Sequence, residues 1–325
     1  MEIYLPIVQV HIDIILILFI SFAVGVLSGL FGVGGGFLMT PFLIFLGIPP
    51  VYAVPNEINN ILATSVSGSM THWFKDTLDY KMGFMIIIGG IVGTILGIIT
   101  FTFFKETGKL SLIISLSYMY LLAIIGTLML IEGAKEIDRA RKKLILKQKL
   151  HTHYWIHGLP LKLRFPKSRL YESAFTPVIL GVVVGFVAAL IGVGGAFLMV
   201  PAMIYLIGMP VKLIPGTSLF VTVFISALVT VLHAFNYGSI DLILVIILVI
   251  GSIIGVQVGQ KVGQYLDSSH LKTLFAMLLC VVAIAIAYDT FFYEGIRQIK
   301  NTEIVNIENL NFFSKFISKL SDNNP

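Results

Sequence analysis

The chain has 325 residues, of which 57% are hydrophobic and 12% are charged, and its mean hydropathy is +0.96. About a quarter of a soluble domain is charged, so this composition excludes an ordinary soluble protein and predicts a polytopic membrane protein. The formal net charge is +5, and half of the 22 basic residues lie at 132–174. Such a basic stretch is typical of a loop that orients the chain in the membrane and contacts the lipid bilayer. No nucleic-acid partner is expected.

Ten apolar segments follow one another along the chain, five on each side of the basic stretch. In chain order they lie at about 12–31, 36–47, 57–74, 82–104 and 110–131, and then at about 176–191, 195–208, 216–235, 240–260 and 270–292. Because a helix needs about 20 apolar residues to cross a bilayer, the second segment of each half is a short tilted helix or a re-entrant piece. The predicted fold class is an all-α membrane protein.

The two halves are predicted to be repeats of one another. The stretch SGLFGVGGGFLMTP at 28–41 returns 160 residues later as AALIGVGGAFLMVP at 188–201. Pro55 and Pro215 share this offset, and His72 and His233 stand 161 residues apart. The order of these matches indicates a duplication. The domains are therefore predicted at 1–131 for the first repeat, 132–174 for the basic loop, 175–292 for the second repeat and 293–325 for an amphipathic tail.

The number of crossings decides how the halves are oriented. Ten crossings give halves of opposite direction, whereas eight crossings, with each short segment folded into its neighbour, give parallel halves. The positive-inside rule places 132–174 in the cytoplasm in both arrangements. Five segments per half favour inverted repeats, since many transporters are built from odd-numbered halves of opposite direction.

The repeated glycine cluster predicts a broken helix in each half. Non-helical backbone survives in a bilayer only where protein buries it or where it lines a wet cavity. A helix that restarts at Gly36 or Ala196 offers unpaired N–H groups and the positive end of its dipole, which suit an anion. The predicted substrate-binding backbone comprises Gly34, Gly35, Gly36, Gly194, Gly195 and Ala196. The four-residue spacing of Gly25 with Gly29, and of Gly181 with Gly185, instead predicts close helix packing.

Polar residues follow one face of the third segment in each half. Such faces line a pathway or form ordinary hydrogen bonds between helices. The residues that we add to the predicted substrate site are Asn60, Thr64, Thr217, Ser218 and Thr222. Glu57 is the acid near the start of a polar segment, and it is either the carrier of a coupling proton or a helix-start residue favoured by the dipole.

Other kinds of chemistry find little support in the sequence. No G-x-G-x-x-G motif follows a strand and no Gly-Lys-Ser/Thr is present, so neither a dinucleotide nor a phosphate loop is predicted. Cys280 is the single cysteine. His151, His153 and His157 lie close together without a neighbouring cysteine or acid, and a metal site there is not expected. No catalytic residue, metal or cofactor is therefore predicted.

The paired G-V-G-G-G/A-F-L-M-x-P motifs, each with a following FLGIPP (45–50) or LIGMPV (206–211), resemble the sulfite exporter TauE/SafE family. PGTSLF (215–220) is similar to the second-half pattern of that family, and NEINNILATSVSGSMTHW (56–73) to its first-half counterpart. The resemblance carries over to Gly34, Gly35, Phe37, Pro41, Gly194, Gly195, Phe197, Pro201, Thr217 and Ser218. The first half has NEINN where the second has GTSLF, so the two binding contributions are expected to be unequal.

The resemblance implies a permease of the bacterial inner membrane for small anions, such as sulfite, sulfonates, sulfoacetate or related organic acids. A secondary transporter with possible proton coupling is the function that we predict, and an enzyme is not expected. A passive anion channel is the main alternative, and a membrane-embedded enzyme is a more remote one. Nothing in the sequence predicts an oligomeric state.

Overall fold

The architecture was analysed in a computed structural model that describes residues 2–8, 10–31, 38–141, 162–210, 212–263, 268–288 and 290. Three parts of the sequence predictions lie outside these residues. They are the first glycine break with Gly34, Gly35 and Gly36, the stretch 142–161 with His151, His153 and His157, and the tail from 291 onwards.

Within the described residues, each half contains a β-hairpin and five helices. The first half contains β1 (Glu2–Leu5), β2 (Val10–Asp13), α1 (Ile14–Phe31), α2 (Met39–Phe45), α3 (Pro50–Phe74), α4 (Tyr80–Glu106) and α5 (Leu110–Arg141). The second contains β3 (Lys162–Phe165), β4 (Leu170–Ser173), α6 (Phe175–Ile191), α7 (Gly195–Ala202) with a π-helical turn (Met203–Ile207), α8 (Ile214–Tyr237), α9 (Leu242–Gly263) and α10 (Ser268–Tyr288). The prediction of an all-α polytopic fold is confirmed. Within the described residues, α4, α8, α9 and the part Leu110–Ile131 of α5 are long and apolar enough to cross a membrane.

The two hairpins were not predicted from the sequence. The first hairpin (β1 and β2) pairs Glu2 with Asp13, and the second hairpin (β3 and β4) pairs Lys162 with Ser173, at the repeat offset of 160. Four-residue strands are too short for a hydrophobic alternation to stand out. The stretch 132–174, predicted as a loop, thus begins with the end of α5 and closes with the second hairpin.

Helices α3 and α8 are equivalent in the repeat, and they run antiparallel to each other. Near the start of α3, Asn56 donates to the Ser239 carbonyl (3.2 Å) and accepts from the Asp241 N–H (2.7 Å), both beyond the end of α8. Near the start of α8, the Thr217 hydroxyl accepts from the Asp79 N–H (3.0 Å), beyond the end of α3. Because equivalent helices point in opposite directions, the halves are inverted repeats.

Glycines allow close packing in two equivalent pairs of helices, α1 with α9 and α4 with α6. A Cβ atom on Gly251, Gly255 or Gly259 of α9 would lie 2.8, 2.3 and 2.1 Å from the carbonyl oxygens of Leu18, Phe22 and Val26 of α1. A Cβ atom on Gly89, Gly93 or Gly97 of α4 would lie 1.9, 2.0 and 2.6 Å from those of Val178, Val182 and Phe186 of α6. In each pair of helices the residue numbers on both sides of the contact increase together. Helix α1 therefore runs parallel to α9, and α4 runs parallel to α6.

The predicted packing role of four further glycines agrees with these interfaces. A Cβ atom on Gly25 or Gly29 would lie 2.6 and 2.3 Å from the carbonyl oxygens of Ser252 and Val256. A Cβ atom on Gly181 or Gly185 would lie 2.0 and 2.2 Å from the carbonyl oxygens of Ile86 and Gly90. Small residues let helices approach closely in lipid, where packing rather than water exclusion drives association. The sequence analysis overlooked their partners on α4 and α9, although these repeat the same four-residue spacing.

The chain must return between the first and third helices of each half. The first hairpin, which leads into α1, contacts Asp241 through the N–H of Ile7 (3.2 Å), and Asp241 also lies at the start of α3. Helices α1 and α3 therefore begin on the same side of the molecule, and α2 is the described helix between them. In the second half, α7 and its π-helical turn make the corresponding return. This path corresponds to the ten-segment arrangement.

Two equivalent aspartates connect the hairpins to the helix bundle. Asp79 accepts from the Met82 N–H (3.1 Å) at the start of α4 and from the N–H (3.2 Å) and hydroxyl of Ser168 in the second hairpin. Asp241 accepts from the Ile243 N–H (3.1 Å) at the start of α9 as well as from Ile7 in the first hairpin. One carboxylate in each half thus caps a helix and fixes a hairpin.

We expect Asp79→Ala to destabilise the protein by about 2 kcal/mol or more, because it removes a helix cap and charge-assisted hydrogen bonds from a buried position. The thermal unfolding midpoint of the purified protein measures the loss. A double-mutant cycle with Ser168→Ala should give a coupling of about 0.5–3 kcal/mol. The control is Asp76→Asn, which removes the charge from an exposed ion pair with Lys167, keeps a residue type that tolerates the positive φ of this position, and should cost at most about 1 kcal/mol. Equal losses for both aspartates would contradict this assignment.

Candidate binding site at the second glycine break

The second glycine break is a buried, non-helical turn between α6 and α7. Helix α6 ends at Ile191, and Gly192 (φ +79°) closes it with an N–H bond to the Ala188 carbonyl (3.0 Å). Gly194 (φ +66°, ψ +126°) precedes the first residue of α7. Both glycines adopt conformations that L side chains rarely reach. The predicted break is therefore present, and the helix restarts at Gly195, one residue before the predicted position.

Helix α3 of the other half packs directly against this break. A Cβ atom on Gly192 would lie 2.8 Å from Val54 Cγ1, and one on Gly194 would lie 2.7 Å from Ile61 Cγ2. Residues 192–197 are all buried. The contact means that the break of the second half and the polar helix of the first half form a single site.

The start of α7 supplies the electrostatics of this site. Helical geometry leaves the N–H groups of the first turn without intrahelical acceptors, so those of Gly195 and Ala196 point away from the helix body. The positive end of the helix dipole lies at the same place. Burial strengthens both effects, because few water molecules compete for the N–H groups in a low-dielectric interior.

Glu57 lies on the face of α3 that contacts the break. It stands three residues after Val54 and four before Ile61, a spacing that places all three side chains on one side of a helix. The carboxylate is fully buried, and its two oxygens accept from the Asn60 side-chain amide at 3.2 and 3.3 Å. The oxygen of the same amide is buried without a hydrogen-bond partner. In the described part of the chain, no Lys or Arg neutralises this carboxylate.

Buried hydroxyl groups lie along α3 and α8, and that of Thr222 comes close to the break. Thr222 Oγ1 lies 3.8 Å from the position of a Cβ on Gly195 and donates to the Ser218 carbonyl (2.8 Å). Thr64 donates to the Asn60 carbonyl (2.9 Å), and Ser218 to the Pro215 carbonyl (3.0 Å). All are buried. Since these hydroxyls donate within their own helices, they present lone pairs to the interior in this arrangement.

Two serines that the sequence analysis did not include in the site stand out in the structure. Ser65 on α3 and Ser226 on α8 are equivalent at the offset of 161, and the hydroxyl of each is buried without a hydrogen-bond partner. An unsatisfied buried hydroxyl is costly, so each is available to a bound molecule. Both serines could have been identified from the sequence, because they lie on the predicted polar faces.

The predicted site residues divide into groups in the structure. Gly194, Gly195 and Ala196 form the break and the start of α7, with Glu57 beside them on α3. Asn60 contacts Glu57 and Thr222 lies near Gly195, whereas Thr64 and Ser218 lie on the same two helices and their place at the break stays a prediction. Thr217 is engaged elsewhere, because its hydroxyl accepts from the Asp79 N–H and donates to the Leu213 carbonyl (2.8 Å). Its role in binding stays a prediction.

The two equivalent histidines occupy structural positions. His233 is fully buried, packs edge-on against Phe101 with ring centroids 4.7 Å apart, and has Nε2 3.1 Å from the Ala189 carbonyl oxygen. His72 has Nδ1 2.9 Å from the Thr77 hydroxyl, at the end of α3. Both contacts are those of side chains packed within the helix bundle.

Comparison with known proteins gives the family of this chain. The sequence profile described as "Sulfite exporter TauE/SafE" matches residues 17–286, which span both repeats and the glycine breaks. The chain belongs to the sulfite exporter TauE/SafE family. This assignment makes it a multi-pass membrane transporter and confirms the resemblance read from the paired motifs.

Relatives with curated descriptions carry the same coarse assignment. The probable membrane transporter proteins YjnA and YunE of Bacillus subtilis are 31% and 29% identical to this chain, over 70% and 66% of it and 82% and 75% of their own lengths. The probable membrane transporter protein MJ0441 of Methanocaldococcus jannaschii is 25% identical over 57% of this chain and 60% of its own length. No solved structure matches the fold.

Proposed function

We propose that this TauE/SafE transporter is a secondary transporter of small anions, which it binds at the second glycine break. The observation that carries the proposal is the buried turn at 192–195, which begins a helix and packs against the polar helix of the other half. Glycine allows a ligand to approach the backbone N–H groups closely. The first break, at Gly34–Gly36, would contribute in the same way by the inverted symmetry of the halves.

An anion is the ligand that this chemistry favours. The free N–H groups at the start of α7 donate hydrogen bonds, and the helix dipole adds positive potential. The unpartnered hydroxyls of Ser65 and Ser226 are two further donors within the same α3–α8 pair. Within the described segments, no Lys or Arg faces Glu57 on α3, so backbone and hydroxyl groups would carry most of the binding.

Glu57 gives the site a means of coupling anion movement to protons. An ionised carboxylate repels an anion bound at the adjacent break, and the low dielectric of the interior makes this repulsion strong. The repulsion disappears when the carboxyl group takes up a proton. Anion and proton would therefore bind cooperatively and cross together, without any nucleotide to drive the step.

The substrate class follows from the family. Its description names sulfite, so sulfite, sulfonates, sulfoacetate and related organic acids are the substrates that we propose. The bacterial inner membrane is the proposed location. The proposed orientation places the stretch 132–174 in the cytoplasm and the first hairpin outside, as the basic residues of that stretch favour. Because the proposed action is transport, no catalytic role is assigned to any residue.

The decisive test of anion binding at the break compares two glycines with the same left-handed backbone conformation. Gly192 (φ +79°, ψ +21°) lies against Val54, whereas Gly208 (φ +70°, ψ +29°) has open space around it. Gly192→Ala and Gly208→Ala should incur a similar backbone cost of about 1–2 kcal/mol. Only Gly192→Ala should reduce the saturable sulfite-induced current, by about tenfold or more for each 1.4 kcal/mol of lost binding.

The currents are recorded from reconstituted liposomes on a solid-supported membrane, with sulfite, thiosulfate, sulfoacetate, taurine and matched carboxylates. A saturable response to one anion, lost in Gly192→Ala and kept in Gly208→Ala, supports the proposal. Equal currents from both variants would place binding elsewhere. A non-saturable flux that follows the gradient passively would favour the anion channel.

We expect Glu57→Gln to abolish the dependence of transport on a pH gradient while anion binding is retained. The amide keeps the size and the hydrogen-bonding capacity of the side chain but cannot take up a proton at any physiological pH. Thermal stabilisation by the responding anion measures binding, and the current with and without a pH gradient measures coupling. A variant whose current still responds to the pH gradient as the wild type does would exclude Glu57 as the coupling residue.

A further inference from the structure

The second hairpin (β3 and β4) carries a surface cavity that is separate from the glycine break. Its volume is about 640 Å³, and it is lined by Arg164, Pro166, Arg169, Leu170 and Tyr171. Both arginines are exposed. In the part of the chain that the structure describes, no carboxylate forms an ion pair with either guanidinium group. The cavity therefore presents uncompensated positive charge to its surroundings.

The strand register places the charged side chain of β3 on the outer face of the hairpin. Arg164 pairs with Tyr171, and Phe165 pairs with Leu170. Because successive side chains of a strand point to opposite faces, Arg164 and Tyr171 share the exposed face, and Phe165 is buried on the other one. Glu172, the one acid in the sequence 162–173, lies on the face of Phe165. The acid is thus directed away from the cavity.

Contacts with α3 and α4 fix the position of this hairpin. Lys81, in the first turn of α4, donates to the Arg164 carbonyl (2.7 Å), and its Nζ lies 5.6 Å from the centroid of the Phe165 ring. A bond to a carbonyl does not neutralise an ammonium group, so Lys81 adds to the positive potential beside β3. Lys167 forms an ion pair with Asp76, just beyond the end of α3. The basic cavity therefore sits on an anchored element.

The equivalent first hairpin lacks these basic residues, although it has the same fold. At the offset of 160, Tyr4 and Gln9 replace Arg164 and Arg169. The stretch 2–13 contains two acids and no Lys or Arg, whereas 162–173 contains four basic residues and one acid. In addition, Arg169 has φ +53°, a conformation that Gly or Asn adopts with less strain. Neither the hairpin fold nor the backbone geometry accounts for the arginines.

The cavity lies close to the level at which the chain enters the membrane. Helix α6 begins at Phe175, two residues after β4, and its side chains Phe175, Ile179 and Val183 are exposed and apolar, as suits contact with lipid. Helix α3 ends beside the same hairpin with the exposed Trp73 and Phe74. Trp is enriched at the interface between membrane and water. A lipid headgroup is therefore within reach of the cavity.

We propose that the cavity of the second hairpin binds the headgroup of an anionic phospholipid, with Arg164 and Arg169 holding its phosphate. A guanidinium group matches the geometry of phosphate oxygens and donates charge-assisted hydrogen bonds to them. The volume falls within the range of about 300–1,000 Å³ that holds drug-sized ligands, and it exceeds what a free phosphate ion needs. The first hairpin, without these arginines, would not bind such a lipid. The proposed site does not depend on the proposed transport of anions.

Titration of the purified full chain with short-chain phosphatidylglycerol in a neutral detergent tests the site. A ligand of the folded state raises the thermal unfolding midpoint according to its concentration and Kd. The double variant Arg164→Gln and Arg169→Asn should raise the apparent Kd by about tenfold or more, because it removes both phosphate contacts. Asn tolerates the positive φ, so the lipid-free midpoint should stay close to that of the wild type.

The matched control is the double variant Lys75→Gln and Lys212→Gln. It removes the same charge from two exposed positions, beyond the end of α3 and before the start of α8, which lie on the side of the second hairpin but outside the cavity. Phosphatidylcholine and inorganic phosphate are titrated in parallel, so that a zwitterionic lipid and a free anion are compared with the anionic lipid.

A saturable response to phosphatidylglycerol in the wild type and the lysine variant, about tenfold weaker in the arginine variant, supports the proposal. The same apparent Kd in all three proteins would overturn it, because the lipid would then respond to the general charge of this side. The absence of a response in the wild type, or an equal response to phosphatidylcholine, would overturn it as well. An equal response to inorganic phosphate would identify a free anion as the ligand and contradict the assignment to lipid.

Discussion

The antiparallel contact between α3 and α8 is the interaction on which the rest of this structure depends. Each helix begins where the other ends, and Asn56 and Thr217 bind the backbone of the opposite helix–helix connection. Backbone groups that leave a helix inside a membrane protein must find partners within the protein. Here the partners come from the other half, and the aspartates at the same connections also hold the hairpins. Each repeat therefore depends on the other for part of the hydrogen bonding at its helix ends.

The same inversion produces an asymmetric site from equivalent parts. Symmetry brings the second break against α3, where the first half has Glu57 and Asn60, and residues 217 and 220 of the second half are Thr217 and Phe220. A duplicated scaffold can thus keep the same glycine motif in both halves and place the titratable group in one. Family membership assigns transport to the fold as a whole. The two halves differ in chemistry because Glu57 and Asn60 of the first correspond to Thr217 and Phe220 of the second.

Much of the fold could be predicted from the sequence, because glycine repeats and apolar lengths are local signals. The glycine break, the packing role of Gly25 and Gly185, and the buried polar faces of α3 and α8 all followed from spacing. The hairpins escaped because four-residue strands have too little periodicity. The engagement of Thr217 by Asp79 escaped for another reason, because it is a contact between residues 138 positions apart.

Labelling of the two hairpins from opposite sides of the membrane tests the inverted arrangement most directly. Pro6 and Pro166 are exposed, equivalent turn residues at the offset of 160. Single cysteines at these positions, Pro6→Cys and Pro166→Cys in a Cys280→Ala background, are exposed to a membrane-impermeant maleimide on intact bacterial cells. The account predicts that Pro6→Cys reacts on intact cells and that Pro166→Cys reacts only after the membrane is opened. Reaction of both cysteines from the same side would contradict the inverted halves and the shared site built from them.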